Sequence, residues 1–516
     1  MKRFIQRFAD KIIGILSGWD RLVLRGTLRP IAFSAGMMVF LWEKQVRLQN
    51  FGRYVFKISQ SVKEASYREA EKRKRPVIYL GSSKIDKADL AQQIARKDHI
   101  KNGLIAVFKA VEPCIGYDVV GDHEKKKLVL IQRPRKCLAV YHYSIDPEFG
   151  FMGSRIQTWF PFQIQVCLNG REWLSRQMDR AGIRYEKHEN CFTWIQDMDA
   201  AQKLMNQQLR FAWQKKLRQI ASMLNPIHDS IFDVSKPIDY YWSSSATEWA
   251  TDIMFGDPSF LSNFYRALTL HGISTFSSPD VLRFLGKRMR QGSNTEITTD
   301  YKDRREGVRI KHRIGKNSVK AYDKYGLLRV ETTINDAKAF RAFRRKENSP
   351  QSELKWRNLR SGVCDMHRRA EISQACNDRY LDALTSVDAS TPLGDILKKI
   401  CQPTTYNGKP VRALAPNSQQ DLNLFLAVNR GEFSLNGFRN RELQALLFDS
   451  PPASLVEKKR RSSRVTRLIR LLRAHHLLRK APTTYRYLLT PLGRDVIAAV
   501  LASQRITLKQ LNQMAA

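Results

Sequence analysis

The segment GVRIKHRIGKNSVKAYDKYGLLRVETTI, Gly307–Ile334, holds three runs rich in β-branched and apolar residues, divided by Gly315-Lys316-Asn317 and Tyr325-Gly326. Side chains alternate faces along a strand, so this patterning between turn residues predicts a three-stranded meander. In the first run Val308, Ile310 and Ile314 point one way and Arg309, Lys311 and Arg313 the other. In the second Lys320, Tyr322 and Lys324 share a face. In the third Arg329, Glu331 and Thr333 do, opposite Leu328, Val330 and Ile334. One face of the predicted sheet is therefore basic.

Upstream, 103–169 repeats the β signal in Leu104–Phe108, Tyr117–Val120, Lys127–Gln132, Cys137–Ile145 and Ser154–Val166, closely spaced enough to predict antiparallel pairing. Glu172–Ala181 and Ala200–Leu224 read as helices. The first hundred residues read as mostly helical, with Phe4, Ile5, Phe8, Ile12, Ile13 and Leu16 at helical spacing and no small-residue cleavage site to make Met1–Leu16 a leader. Pro76–Leu80 followed by Gly81-Ser82-Ser83-Lys84 looks like half a phosphate loop. It lacks the GxxxxGK[ST] spacing, so it reads as a strand-to-helix connection with Ser82 or Ser83 near the cap. The fold class is α+β and multidomain: a helical region 1–102, an α+β domain 103–225, a second α+β region 226–416 and a C-terminal module 432–516. A central antiparallel sheet with flanking helices is expected.

The 516 residues are 43% hydrophobic, ample for several buried cores. Lysine and arginine number 88 against 49 acids, a net charge of +39, far more than solubility requires. Such an excess predicts a polyanionic partner bound with steep salt dependence. A membrane is excluded as a medium to span, because the longest apolar run, Ile31–Trp42, falls short of the roughly 20 residues needed. Seven scattered cysteines argue against a disulfide framework and for a reducing cytoplasm. Cys364-Asp-Met-His367 lacks the second ligand pair that a structural zinc needs.

The tail reads as helix, turn, helix, hairpin, helix. Asn436 and Asn440 open a short helix, Pro451-Pro452 interrupts it, and Ser462 or Ser463 caps the next. There Val465, Leu468, Ile469 and Leu472 follow the buried-stripe rule, leaving Arg464, Arg467, Arg470 and Arg473 off it, with Lys458, Lys459, Arg460 and Arg461 just before. A hairpin bearing Tyr485 and Arg486 follows, then Leu489-Thr-Pro-Leu-Gly-Arg494. Over roughly 80 residues the order resembles the winged-helix modules of bacterial transcription regulators. That resemblance implies that the arginine helix enters the major groove while Tyr485 and Arg486 touch backbone or minor groove. It makes duplex DNA the expected partner ahead of RNA, in the bacterial cytoplasm at the nucleoid. Exposed sheet aromatics such as Tyr141 or Tyr143 would instead favour stacking on single strands.

Catalytic candidates have plainer explanations beside them. Lys320–Lys324 with Arg329-Val-Glu331 resembles a segment of phage replication initiators, which cut with a tyrosine and a metal, and so names Tyr322, Asp323 and Glu331 as candidate catalytic residues. None of the ten histidines has the His-x-His spacing those enzymes use for the metal, so Lys320, Tyr322, Arg329 and Glu331 also read as a nucleic-acid-contacting or cross-strand-paired surface. Asp118 with Glu124-Lys125-Lys126 echoes a nuclease pattern but spans too short a gap, and His476-Leu-Leu-Arg479 echoes a recombinase pair without its other parts. Asp20, Glu112, Asp146, Glu148, Asp252 and Asp300 are acids that could clamp Mg²⁺ at a scissile phosphate or simply pair with the many cations. Finally, Trp19–Gly26, Val111–Cys114, Gln157–Phe162 with Asn169–Trp173, Leu328–Asn335 and Leu435–Asn440 are similar to a bacterial family met in multiple genomic copies in the manner of mobile elements. That likeness implies DNA rearrangement and supplies no catalytic residue. The competing class is a regulator or accessory factor without chemistry.

Overall fold

Ile12–Thr27 is one uninterrupted strand, β1, where helical spacing predicts a helix to Leu16; the first helix spans only Lys2–Arg7. Gly14, Gly18 and the β-branched Ile12, Ile13, Ile15 and Val23 disfavour helix. Trp19, Asp20, Leu22, Val23 and Leu24 are all buried, so no period-two alternation marks the strand in the sequence. The computed structural model describes residues 1–504 apart from 82–83, 125, 233–237, 258, 263, 266–267, 270–275, 277, 288–295, 305–306, 347–348, 350, 385–392, 431–432, 434–436, 449 and 482–483. The chain packs as two units, one of 1–12, 255–328 and 376–516, the other of 13–254 and 329–375. Among the described residues no helix is long and apolar enough to cross a membrane.

The second unit is built on a mixed sheet. Its strands are β1, β2 (Val77–Tyr79), β3 (Gly103–Asp122), β4 (Lys127–Asp146), β5 (Gly150–Gln157), β6 (Ile164–Asn169), β9 (Tyr241–Phe255) and β13 (Leu327–Ile334), with a small hairpin, β7 (Tyr185–His188) and β8 (Cys191–Ile195), beside it. The order is β13-β9-β1-β6-β5-β4-β3-β2. The ladders from β6 to β3 are antiparallel, as is β1 on β6, where Arg21 faces Asn169 and Gly26 faces Ile164. β2 runs parallel to β3, so the sheet is not purely antiparallel. The helix Lys87–Lys97 provides the crossover that parallel pairing needs, capped by Asp86; Ser82 and Ser83 lie outside the described residues. Pro113 and Pro134 sit inside β3 and β4, where only those two strands pair, so neither costs a third strand a hydrogen bond. The expected helix Ala200–Leu224 is two helices, Met198–Gln207 and Trp213–Leu224. They and Gly170–Ala181 pack on a core containing Trp19, Leu22, Leu24, Ile164, Val166 and Leu168.

Gly170 opens its helix behind the Asn169 cap, and a Cβ there would lie 2.3 Å from the Trp19 carbonyl oxygen. Helix and central strand touch through a hydrogen atom. Gly170→Ala is expected to destabilise the fold by about 1–3 kcal/mol, whereas Gly121→Ala, with nothing within 4 Å, leaves the urea midpoint nearly unchanged. Equal midpoints for the two variants would refute the close approach.

In the first unit β10 (Ile297–Arg304), β11 (Gly307–Ile314) and β12 (Asn317–Lys324) form antiparallel ladders, with turns where the sequence places them. Tyr325 and Gly326 both have positive φ, as a tight turn of this twist requires. Ile310, Ile314, Val319 and Ala321 are buried with His312, whose ring bonds Thr299 and Tyr380; burial pushes it down to about 4, so it is neutral. At the C-terminal end come helix Gln419–Val428, a bridge from Phe438 to Tyr487, helices Asn440–Leu447 and Leu455–Ala474, the hairpin Leu478–Lys480 with Tyr487–Leu489, and helix Pro491–Ser503. One core joins them, including Leu424, Phe425, Leu443, Val465, Leu468, Ile469, Leu472, Leu477 and Val496. The long helix starts earlier than expected: Ser454 caps it by accepting from the Glu457 amide, and Ser462 and Ser463 lie within it. Leu435 and Asn436 lie outside the described residues.

Candidate carboxylate centre and nucleic-acid interface

Three strands of the second unit carry one acid each to a common point: Asp20 on β1, Glu248 on β9 and Glu331 on β13. One carboxylate oxygen from each lies within 4.8 Å of the others. Among the described residues this is the one group of three His, Cys, Asp or Glu side chains close enough to share a cation. Asp20 is 4% exposed, Glu331 3%, and Glu248 is half-buried. Converging carboxylate oxygens away from bulk water are the donor set that a hard divalent ion takes.

A buried ion-pair network ties Asp20 in place. Arg329 donates through Nε to Asp252 Oδ1 at 2.6 Å and through Nη2 to Asp252 Oδ2 at 2.8 Å, a two-pronged pair. Its Nη1 reaches Asp20 Oδ2 at 3.1 Å, and Nη2 also donates to the Asn190 carbonyl. The Asn190 side-chain amide, in the turn between β7 and β8, donates to the other Asp20 oxygen. Arg171, fully buried, donates to the Ala250 carbonyl and forms an ion pair with Asp252 Oδ2. Desolvation opposes charge on both guanidiniums. For Arg329 the Asp252 and Asp20 carboxylates outweigh it and hold the proton above the ordinary range; for Arg171 burial prevails and the shift is downward.

Of the acids singled out by sequence, Asp20 and Asp252 meet here. The others pair with cations instead: Glu112 with Lys87 and Arg155, Asp146 and Glu148 with Lys216, Asp300 with Arg309, Asp118 with Arg133 and Arg135. Glu248 escaped notice. Its only signal is that it is the single charge between Asp239 and Asp252, in a run otherwise suited to a buried strand. Tyr322 and Asp323 lie on β12 of the first unit, on opposite faces: Tyr322 is buried, and desolvation raises the half-buried Asp323 carboxyl. Lys125, of the supposed nuclease pattern, is outside the described residues.

The basic sheet face exists in the first unit, and it is more crowded than open. Across β10–β12 the register sets Lys302 against Arg309, Lys311 against Lys320 and Arg313 against Ser318, which places these cations on one face. Arg309 and Lys320 are only 7% and 8% exposed, and Arg309 donates to Asp300 at 2.8 Å; Arg313 and Lys302 are exposed. Desolvation and then the neighbouring Lys320 and Arg309 charges lower the Lys311 ammonium.

On the helix Leu455–Ala474, Val465, Leu468, Ile469 and Leu472 are buried and Lys458, Lys459, Arg460, Arg464 and Arg467 are exposed. Of the exposed ones, Arg464 lies over the Phe448 ring and Arg467 donates to the Ser463 carbonyl, and the less exposed cations are engaged more fully. Arg461 donates to Glu457 and lies over the Phe448 ring, Arg470 donates to the Tyr406 carbonyl, and Arg473 sits over the rings of Tyr406 and Tyr487. Arg486 donates to the Gly437 carbonyl and pairs with Glu442, whereas Tyr485 is 83% exposed with Lys480 over its ring. Comparison with protein-family models, curated proteins and solved structures finds no match to this chain.

Proposed function

We propose that this protein binds duplex DNA through the helix Leu455–Ala474 and the hairpin after it, in the manner of a winged helix, as part of a mobile element. The observation that carries the reading is the set of exposed cations Lys458, Lys459, Arg460, Arg464 and Arg467 on a helix that buries Val465, Leu468, Ile469 and Leu472, in a chain of net charge +39. Duplex DNA is favoured over single strands because Tyr143 is buried against Phe108 and Phe151, and the Tyr141 hydroxyl is engaged with Glu112. Neither ring offers a free stacking platform. The bacterial cytoplasm at the nucleoid is the matching location.

The carboxylate centre supports a second activity of the same protein: Asp20, Glu248 and Glu331 hold Mg²⁺ for cleavage or transfer of a DNA strand. The initiator-like reading through Tyr322 and Asp323 has less behind it, since its histidine pair is missing from the sequence.

Purified protein titrated with labelled duplex, single-stranded DNA and structured RNA across a salt series, with and without Mg²⁺, tests both readings. Tight, salt-sensitive duplex binding supports the first, and Mg²⁺-dependent product the second. Binding without product leaves a regulator or accessory factor, and no binding to any of the three refutes the proposal. Arg464→Ala with Arg467→Ala is expected to reduce the slope of log affinity against log salt by about 2, one unit per lost phosphate contact. An unchanged slope would remove this helix from the interface.

A further inference from the structure

Cys114 on β3 and Cys137 on β4 are far apart in sequence and adjacent in space. The register pairs Glu112 with Cys137 and Cys114 with Arg135, so the two cysteines are diagonal neighbours on one face, and their thiols lie within hydrogen-bonding reach of each other. They sit where the sheet narrows. β5 pairs with β4 only from Ala139 onward and β2 with β3 only at Val107–Lys109, so the rungs carrying the thiols have no third strand. Two-stranded ribbons twist more strongly than sheets. We propose that Cys114 and Cys137 are a peroxide-sensitive dithiol that closes to a cross-strand disulfide.

The two sulfurs have distinct roles. Cys114 is part-exposed and Cys137 buried. The Cys137 thiol donates to the Cys114 sulfur, and the Arg135 and Arg155 guanidiniums also favour a thiolate there, outweighing burial and lowering its pKa. Such partly exposed, electropositive surroundings make a cysteine reactive. The Cys114 thiolate attacks the terminal oxygen of a hydroperoxide. The O–O bond breaks, the alkoxide or hydroxide leaves and takes up a proton, and Cys114 becomes a sulfenic acid. The Cys137 sulfur then attacks the Cys114 sulfur, its proton departing with the displaced hydroxide as water. Two electrons pass from the sulfurs to the peroxide, and a thiol reductant returns them.

The full chain is exposed to stoichiometric hydrogen peroxide, quenched with an alkylating reagent and mapped by mass spectrometry. Expected are a Cys114–Cys137 cross-link, its loss on reduction, and Cys114 modification roughly tenfold faster than at the exposed Cys364 and Cys401, which serve as internal controls. In Cys137→Ser a dimedone adduct accumulates at Cys114. Oxidation of Cys114 no faster than of Cys364 and Cys401, or oxygen addition without a cross-link in the unaltered chain, overturns the proposal.

Discussion

Glu331→Gln is expected to lower Mg²⁺-dependent cleavage of duplex DNA by roughly 100- to 1,000-fold, about 3–4 kcal/mol of transition-state stabilisation, while duplex affinity stays within about twofold. The amide keeps the volume of the carboxylate and removes its charge, so the packing of β13 is spared and the proposed ligand set of Asp20, Glu248 and Glu331 loses a member. A readout independent of turnover accompanies it. Bound cation stabilises the folded state by mass action, so the thermal midpoint of the parent chain rises with Mg²⁺ and that of Glu331→Gln does not. Undiminished cleavage in the variant would move the chemistry elsewhere. A parent chain that binds DNA and never cuts it would leave the carboxylates a structural cluster and the protein a binder.

Arg329→Met is expected to cost about 3–5 kcal/mol, read as a lowered urea midpoint. The guanidinium is buried between Asp252 and Asp20, and its removal leaves Asp252 to Arg171 and Asp20 to the Asn190 amide, so much of their desolvation goes uncompensated. A loss of that size is about a fifth or more of a typical domain's stability. Arg329→Lys keeps the charge without the two-pronged fork and recovers less than half of it. A loss under about 1 kcal/mol would mean that water reaches the pair, and that the network does not position Asp20.

What the sequence made legible follows from where patterns are local. Glycine turns separate β11, β12 and β13, which begin and end within a residue or so of where alternation and turn chemistry place them. The stripe Val465, Leu468, Ile469 and Leu472 is buried as helical spacing requires. β1 was hidden because a strand with neighbours on both edges and burial on both faces shows no alternation, while Phe4, Phe8 and Ile12 happen to fit a helix. Composition named Asp20 and Asp252 as candidates but could not pair them, since their meeting depends on Arg329 from a third strand. The arginine row of the tail also hid a division of labour. Arg461, Arg470 and Arg473 serve the module's own packing, and only the side chains disclose that.

The spacing of the three acids along the chain, at 20, 248 and 331, also bears on biosynthesis. A nascent polypeptide still on the ribosome at residue 300 has its first acid and its second but no third, so it cannot assemble the cation ligands, however long translation pauses. A centre built this way is complete only once β13 has been made, so on the proposed reading the chain cannot cut DNA during its own synthesis, and fragments released before that point lack the third acid.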